Sequence, residues 1–460
     1  MPRPPNDEVR SKTASGGLPF SSLSKGNRSS AVDMVSDPGF CSPDGPSDAA
    51  PGLLISFILA THNRARVLLH TLERIAACGL APREYEILIV DNCSTDGTAE
   101  LIRRHVSGAR LIVLERNRGS CAKGLAVPHA RGEFVVFLDD DSYPLAGSIR
   151  NMVRHFEQDS SLGAAGFVVR LPNGMRECSA LPSVFVGCGV GFRRTVLNAV
   201  GGLDVSYFMQ AEEYDLSFRL IQAGFSVRTF DDLHVMHLKS PAARSGRQKV
   251  LYDARNNLTL AATYLPAPWH REYLRDWRQR YGWLARLADA DREFQDGSVL
   301  GLARGYYRRW TRPQSRLRDE TTRHIFGIDM IESAMARLAA QPCARILLAD
   351  LGKNIFPYYR AATMSGLQIV AIMDDRFAGD DRRYRGIPIV NRARGLGLGA
   401  NAIVVSNSSP IHARITELEL RAKTDLPVYR WHGRFDFEPP GDLTLEHQAS
   451  RMGATSAITA

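Results

Sequence analysis

Short, continuous apolar runs alternate with stretches of helical apolar spacing in the N-terminal half of the chain. Leu53–Leu59, Tyr85–Val90 and Phe134–Leu138 have the pattern of buried strands, whereas Val67–Ala76 and Thr98–Val106 have the spacing of amphipathic helices. Alternation of strand and helix over these distances predicts βαβ units and a parallel sheet. The predicted fold class is therefore α/β.

Each of the three predicted strands runs into polar residues. Those with chemical potential are Thr61, Asp91, Asp96 and the triplet Asp139, Asp140 and Asp141. The carboxyl ends of parallel strands meet at one edge of a sheet, which is where α/β proteins bind ligands. Three adjacent carboxylates need a compensating cation, and hard oxygen ligands favour Mg²⁺ or Mn²⁺. A solvated acidic loop is the alternative interpretation of the triplet.

Several motifs occur together, in order, between about Leu53 and Pro241. They are Ala60-Thr61-His62-Asn63-Arg64, Val90 to Thr98, Asn117-Arg118-Gly119, the Asp139 to Asp141 triplet, Gly201-Gly202-Leu203-Asp204, Glu212 to Leu216 with Arg219, Gly224, and His237. This series resembles the family 2 glycosyltransferases of the GT-A fold. The resemblance implies an inverting enzyme that moves a sugar from a nucleotide-diphosphate sugar to an acceptor hydroxyl in polysaccharide or glycoconjugate synthesis.

Two other function classes are compatible with the residues. One is a nucleotide-sugar-binding or scaffold protein that keeps the fold without turnover, and the other is a nucleotidyltransferase. The ordered elements from Gly201 to Asp215 belong to the acceptor side of a glycosyltransferase, so they argue against the nucleotidyltransferase.

The resemblance also implies roles for individual residues on the donor side. Donor binding is assigned to Thr61, Arg64, Asp91, Asp96, Lys123, Asp139 and Asp140, and a metal site to Asp139, Asp141 and His237. Asp91 would accept a hydrogen bond from the nucleotide base, and the metal would neutralise the leaving diphosphate. Lys123-Gly124 stands where the family commonly has Arg-Asn, so Lys123 would act as a point charge on the donor phosphates. Helix capping by Asp96 and a structural role for His237 are the alternatives.

Glu212 and Glu213 are the candidate catalytic residues on the acceptor side. The family usually has Glu-Asp here, and the second acid removes the proton from the attacking hydroxyl. Glu213 is one methylene longer than that Asp, so the resemblance leaves open which of the two acids reaches the acceptor; Glu213 is the expected base. The alternative is that both acids only favour the N-terminus of a helix.

Composition indicates a multidomain globular protein. The 460 residues exceed what one core usually serves, 44% of them are hydrophobic, and no uninterrupted apolar run reaches the length of a membrane span. The seven cysteines are odd in number and form no CxxC pair, so neither a disulfide framework nor a zinc site is expected. We expect a cytoplasmic protein with a disordered leader over residues 1–50, the GT-A domain over 51–241 and a flexible tail over 436–460.

Residues 242–340 form a basic, aromatic extension that predicts amphipathic helices. Tyr252 to Asn257 resembles the start of the C-terminal extension of rhamnosyltransferase-like family members. Helices packed on the catalytic domain are the favoured interpretation. A basic aromatic face on anionic lipid headgroups, near a lipid-linked acceptor at the inner face of the membrane, is the other. Nucleic acid is not an expected partner because no binding motif accompanies the charge. The aromatic residues are Trp269, Tyr273, Trp277, Tyr281, Trp283, Tyr306, Tyr307 and Trp310.

Residues 341–435 repeat a strand–helix pattern. Ala344–Asp350, Gln368–Met373 and Ala402–Ser406 are predicted strands, and the segment resembles the Rossmann-like domain of sugar acyltransferases and some sugar-nucleotide enzymes. Only Gly352 remains of a GxGxxG turn, and Asp350 stands where a glycine would let phosphate approach, so NAD binding is not expected. The expected role is regulation or assembly, and a homo-oligomer is among the candidate states.

Overall fold

The structure is a computed structural model that describes residues 52–106, 108–239 and 246–431. The chain divides into two units, Met1–Pro43 and Asp44–Ala460, and every element below belongs to the second. The predicted leader and the predicted tail lie outside the described residues.

The first sheet contains nine strands, in the order β3-β2-β1-β4-β8-β6-β9-β5 with β7 paired to β6. Its β3-β2-β1-β4 half is parallel throughout, and β6 and β9 are also parallel. The predicted α/β class and mostly parallel sheet are therefore confirmed. The strands are β1 (Ile55–Thr61), β2 (Tyr85–Asp91), β3 (Ala109–Val113), β4 (Phe134–Asp139), β5 (Ser142–Pro144), β6 (Leu162–Arg170), β7 (Arg176–Glu177), β8 (Gly189–Arg193) and β9 (Ser226–His237).

Helices cover both faces of this sheet. Alternate residues of a strand enter opposite cores: Ile58 packs in one cluster, and Phe57 and Leu59 in the other. Burial on both faces explains why β1, β2 and β4 read as continuous apolar runs. The helices are α1 (Ala65–Ala76), α2 (Thr98–His105), α3 (Lys123–Ala126), α4 (Ser148–Gln158), α5 (Arg194–Val200) and α6 (Glu212–Gln222).

The predicted extension is helical: α7 (Gly246–Tyr264), α8 (Trp269–Leu287), α9 (Asp291–Thr311), α10 (Asp319–Ile325) and α11 (Ile328–Ala339). Trp269, Tyr273 and Trp277 of α8 are buried in one cluster with Phe218 of α6, so this part packs on the catalytic side as favoured. Three glycines of α9 bring it close to α7, because a Cβ at Gly297, Gly301 or Gly305 would overlap α7. Within the described residues, no helix combines the length and apolarity that crossing a bilayer would require.

The second sheet has the order β12-β13-β11-β10-β14-β15, and only β12 is antiparallel to its neighbour. The order reverses between β10 and β14, which is the point where a doubly wound sheet forms a crevice. Identification as a Rossmann-like domain stays a prediction. The elements are β10 (Arg345–Ala349), α12 (Phe356–Met364), β11 (Gln368–Met373), β12 (Arg383–Tyr384), β13 (Ile387–Val390), α13 (Arg392–Leu396), β14 (Ala402–Val405), α14 (Pro410–Arg421) and β15 (Val428–Tyr429).

Candidate functional site

Parallel pairing brings the polar ends of the first three predicted strands to one edge of the sheet. Thr61 is in register with Asp91 on β2, and Ala60 is in register with Asp139 on β4. The edge predicted from the sequence therefore exists, and β1 lies at its centre.

Asp91 is fully buried at this edge and has one oxygen without a partner. Its Oδ1 accepts from the backbone N–H of Ser94 at 3.1 Å, and its Oδ2 has no hydrogen-bond partner among the described residues. A buried carboxylate oxygen without a donor costs free energy, so this atom is suited to receive an N–H group from a ligand. Asp96 has a different role, since its Oδ1 accepts from the backbone N–H of Thr98 at the start of α2, at 3.0 Å.

The middle acid of the triplet points back to β1. Asp140 accepts from Thr61 Oγ1 at 2.8 Å and from Arg64 at 2.6 Å. Burial outweighs these contacts and raises the pKa of Asp140 to about 7. The second guanidinium nitrogen of Arg64 donates to Asp141 at 2.7 Å, so Arg64 clamps the two acids. Thr61, Arg64 and Asp140 thus shape the edge.

Asp139 is held by Lys123, which lies almost fully buried beneath it. Lys123 Nζ donates to Asp139 Oδ1 at 2.7 Å and to the carbonyl of Gly187 at 2.8 Å. Burial alone would raise the pKa of Asp139, but Lys123 and His237 hold it below its ordinary value. The structure therefore joins Lys123 to a carboxylate of the site, whereas the sequence predicted a contact with donor phosphates.

Asp139, Cys188 and His237 offer one ligand atom each within 4.8 Å of one another. The carboxylate and the imidazole are ligands that Mn²⁺ accepts. The Cys188 thiol fits a hard cation poorly, because it is soft and because burial raises its pKa. The residues present therefore fit a divalent cation through Asp139 and His237, and Asp141 and Glu177 are further acids in contact with His237.

His237 links this group to two more carboxylates. Its Nε2 lies 3.3 Å from Asp141 Oδ1, and its Nδ1 lies 2.9 Å from Glu177 Oε2. Burial opposes protonation, yet the contacts with Cys188, Asp141 and Glu177 raise the pKa of His237 well above that of an ordinary histidine. A bound metal ion would replace the proton that these contacts favour on His237.

The two acids at the start of α6 have different surroundings. Glu212 is buried, and one of its oxygens accepts from the hydroxyl of Ser120. Glu213 is partly exposed, and a Cβ built at Gly187 would lie 3.1 Å from its Oε1. Burial, and then the neighbouring charge of Glu212, raise the pKa of Glu213 to about 8. Gly187 precedes Cys188, so Glu213 faces the segment that also carries the candidate metal group.

The loop before these acids, residues 204–211, is held by α7 and α9. Asn256 Nδ2 on α7 donates to the carbonyls of Tyr207, Met209 and Gln210 at 3.0, 2.7 and 2.8 Å. The loop needs this support because Phe208, Gln210 and Ala211 have φ values between 67° and 72°, a region that side chains disfavour. From α9, Arg304 donates to Ser206, and Arg308 pairs with Asp204.

Lys353, on the turn after β10, reaches the same region from the second sheet. Its Nζ lies 3.8 Å from the ring centre of Tyr214 and 4.7 Å from that of Trp277. Burial lowers the pKa of Lys353 to about 7, although the charges of Asp253 and Glu213 act in the opposite direction. The turn is fixed by Trp277, whose indole N–H donates to the carbonyl of Lys353 at 3.0 Å.

Sequence reasoning missed four residues that shape the site: Glu177, Cys188, Asn256 and Lys353. Glu177 and Cys188 stand outside every recognised motif, and only the pairing of β7 and β8 with β6 brings them towards β9 and His237. Lys353 had one signal in the sequence, since it lies in the turn after the predicted strand Ala344–Asp350.

The amino-acid sequence of this chain is similar to those of known glycosyltransferases. Residues 56–199 match the family described as "Glycosyl transferase family 2". The poly(ribitol-phosphate) beta-N-acetylglucosaminyltransferase TarS of Staphylococcus aureus is 35% identical over 92 residues, which are 19% of this chain and 16% of TarS.

Two further similarities cover more of the matched proteins. The Escherichia coli UDP-Glc:alpha-D-GlcNAc-diphosphoundecaprenol beta-1,3-glucosyltransferase WfaP is 24% identical over 216 residues, 43% of this chain and 83% of WfaP. The mannosyltransferase PcManGT of Pyrobaculum calidifontis, solved with GDP-Man and Mn²⁺, aligns with a TM-score of 0.39 and 19% identity, covering 69% of this chain and 88% of PcManGT.

The family match, together with the strand-end acids, defines the class: residues 56–199 form a family 2 glycosyltransferase domain. The resemblance stated from the sequence motifs is thereby confirmed for this domain. The roles of individual site residues stay predictions.

Proposed function

We propose that this protein is a metal-dependent, inverting glycosyltransferase that moves a sugar from a nucleotide-diphosphate sugar to an acceptor hydroxyl in polysaccharide or glycoconjugate synthesis. The observation that carries the proposal is the unpartnered, buried Oδ2 of Asp91, which ends β2 on one side of β1 while Asp139 ends β4 on the other side. A nucleotide base offers an N–H donor that would complete the hydrogen bonding of this atom.

The donor diphosphate would lie between Asp91 and the acids after β4. Asp139 and His237 would hold a divalent cation, with Asp141 beside them, and Mn²⁺ or Mg²⁺ fits the oxygen ligands. When bound, such a cation supplies positive charge that stabilises the leaving nucleotide diphosphate. Arg64 fixes Asp141 and Asp140 in place, and Lys123 fixes Asp139.

The acceptor would enter on the side of α6. Glu213 would take the proton from the attacking hydroxyl, because it is the more exposed of the two acids and lies beside Gly187. Glu212 would hold the loop through Ser120. A base opposite the leaving group fits a single displacement with inversion. The acceptor would be a sugar or a lipid-linked sugar, and the name of WfaP gives a sugar linked to diphosphoundecaprenol for that protein.

The test is release of nucleotide diphosphate from a panel of UDP-, dTDP- and GDP-sugars with Mn²⁺ and candidate acceptors. Asp91→Asn should weaken binding of the preferred nucleotide about tenfold or more, since the amide can present an N–H where the base needs an acceptor. Asp380→Asn, a change at an exposed acid of the second sheet, is the matched control. Equal nucleotide affinity of Asp91→Asn and wild type would contradict the proposed donor site, and binding without release would favour the non-catalytic alternative.

A further inference from the structure

One face of α9 is apolar and exposed along three turns. Its residues Val299, Leu300, Tyr306, Tyr307 and Trp310, here called the α9 stripe, have exposed fractions of 67, 53, 46, 64 and 80%. Steps of seven join Val299 to Tyr306 and Leu300 to Tyr307, and steps of four and three join these tyrosines to Trp310, so the five side chains share one helix face of about 120°. Large aromatic and aliphatic side chains rarely lie this open as a group unless the surface contacts something.

The α9 stripe is not the face by which α9 packs on the rest of the protein. The opposite face of α9 carries Gly297, Gly301 and Gly305, which lie against the backbone of α7. This close packing fixes the rotation of the helix, and the stripe is therefore directed outward. Of the eight aromatic residues predicted for the extension, five are covered by packing, whereas Tyr306, Tyr307 and Trp310 are exposed.

Positive charge without acidic partners lies beside the end of the stripe. In the part of the chain that the structure describes, Arg271, Arg312 and Arg316 are exposed and pair with no carboxylate. Arg271 and Arg316 lie close to His270, since they act with burial and with Arg309 to lower its pKa. Cations next to exposed Trp and Tyr side chains form the combination that recognises an anionic lipid surface.

The α9 helix is also in direct contact with the acceptor side of the candidate site. Arg304 donates to the carbonyl of Ser206 at 2.8 Å, and Arg308 pairs with Asp204 in the loop that leads to Glu212 and Glu213. A surface that contacts the α9 stripe would therefore lie near the entrance for the acceptor.

We propose that the α9 stripe rests on an anionic membrane surface, with its aromatic side chains at the level of the lipid headgroups and its neighbouring arginines on lipid phosphates. Trp and Tyr suit this level because each has an apolar ring and one polar group. If the proposed function holds, the consequence is a lipid-linked acceptor, because the stripe would hold the loop of residues 204–211 close to the headgroups.

The experiment is co-sedimentation of the full chain with vesicles of phosphatidylcholine alone and of phosphatidylcholine with phosphatidylglycerol. Binding is expected with the anionic vesicles only, and about 0.5 M salt should weaken it because headgroup attraction is screened.

The double variant Tyr307→Ser/Trp310→Ser should lower the partition coefficient about tenfold or more. Arg312→Gln/Arg316→Gln should lower it about tenfold and remove most of the salt dependence. Met364→Ser, which changes an exposed apolar residue of α12, is the matched control and should bind as wild type.

No donor or acceptor enters this measurement, so its failure is separate from a failure of the proposed transfer. Equal partition of wild type and the Tyr307/Trp310 variant would overturn the proposal. So would sedimentation velocity showing a wild-type dimer that the same variant converts to monomer, with no vesicle binding, because the occupant would then be a second copy of the chain. Circular dichroism of each variant verifies that the fold is retained, as expected for changes at exposed positions.

Discussion

Glu212 and Glu213 are adjacent in sequence, but the helix start turns them into different environments. The hydroxyl of Ser120 occupies one oxygen of Glu212, whereas Glu213 keeps contact with solvent beside Gly187. A general base has to reach a hydroxyl that arrives from outside, within about 3 Å. The exposure of Glu213 therefore favours it over Glu212.

Glu213→Gln should lower turnover by about 10² to 10⁴, with donor affinity nearly unchanged, because the amide keeps the shape and cannot accept the proton. Glu212→Gln should cost less turnover, since the amide can still bond to Ser120. Steady-state kinetics with a saturating donor measures both. Near wild-type turnover of Glu213→Gln together with an inactive Glu212→Gln would reverse the assignment.

The pH profile of turnover should report the same base. Burial and Glu212 raise the pKa of Glu213 to about 8, and a general base works only when it is deprotonated. Turnover should therefore rise as the pH increases through about 8 and fall below it, with a slope of one proton. A profile that is flat between pH 6.5 and 9 would exclude Glu213 as the base.

Metal dependence should rest on the acids after β4. Asp141→Ala removes a carboxylate that contacts both Arg64 and His237, so we expect weaker metal binding and near loss of transfer with the fold intact. EDTA should abolish activity and added Mn²⁺ should restore it. Isothermal titration of Mn²⁺ into wild type and variant provides the direct comparison. Full activity in EDTA, or an active Asp141→Ala protein, contradicts the proposed site.

At the scale of elements, the strands that end at the site could be read from the sequence. The runs that form β1, β2 and β4 are apolar on both faces, and the structure places their ends within one residue or two of the predicted positions. The predicted start of α1, Val67, lies two residues inside the helix. His237 is the last residue of β9, a strand that begins at Ser226. Local periodicity records which residues are buried, so it predicts these elements well.

The packing of α7 against α9 depends on glycine. A Cβ at Gly301 would overlap the carbonyl oxygen of Arg255, which belongs to helix backbone and cannot move alone. Gly301→Ala should therefore lower stability by about 2 kcal/mol despite the better helix propensity of alanine. Thermal unfolding compares it with Gly246→Ala, where a Cβ meets no heavy atom within 4 Å. Equal midpoints for the two variants would show that the helices can separate at little cost.

At the scale of the whole molecule, the switch-point crevice of the second sheet faces the catalytic side. Asn354, after β10, donates to the carbonyl of Ala180 at 3.2 Å, and Ser409, before α14, lies 3.0 Å from the Sγ of Cys178. Asp350, with a φ of 72°, accepts from Thr416 at 2.6 Å, so side chains of the protein occupy the turn where a dinucleotide phosphate would approach. That the segment does not bind NAD stays a prediction.

Lys353→Met should stabilise the protein and impair transfer. The folded-state pKa of about 7 lies below the ordinary 10.5, so the folded chain binds fewer protons than the unfolded chain between these values. Burial of the charged lysine therefore lowers the free energy of unfolding by its full amount below about pH 7, and this destabilisation disappears near pH 10.5. The contacts of the ammonium with Tyr214 and Trp277 offset part of it. The gain in melting temperature should therefore be larger at pH 7 than at pH 9.5. A variant with unchanged melting temperature and unchanged turnover would show that Lys353 has no role.

The residues that sequence reasoning missed share one physical reason. Glu177, Cys188, Asn256 and Lys353 lie far along the chain from their partners, and each reaches the site through sheet pairing or helix docking. A pattern within one element carries no record of such contacts. The predicted acids, in contrast, follow strands that the pattern identifies, and parallel pairing then fixes their common edge.

The three hydrogen bonds from Asn256 limit which parts of this protein can be exchanged separately. The family match ends at residue 199, while Glu212 and Glu213 follow a loop supported from α7 and α9. Lys353 of the second sheet lies on the ring of the next residue, Tyr214. Residues 56–199 alone would therefore lack the loop and the acids that we propose for the acceptor side. Changes of donor are expected to fall within the matched residues, whereas a new acceptor would require concerted change in α6, α7 and α9, which lie beyond residue 199.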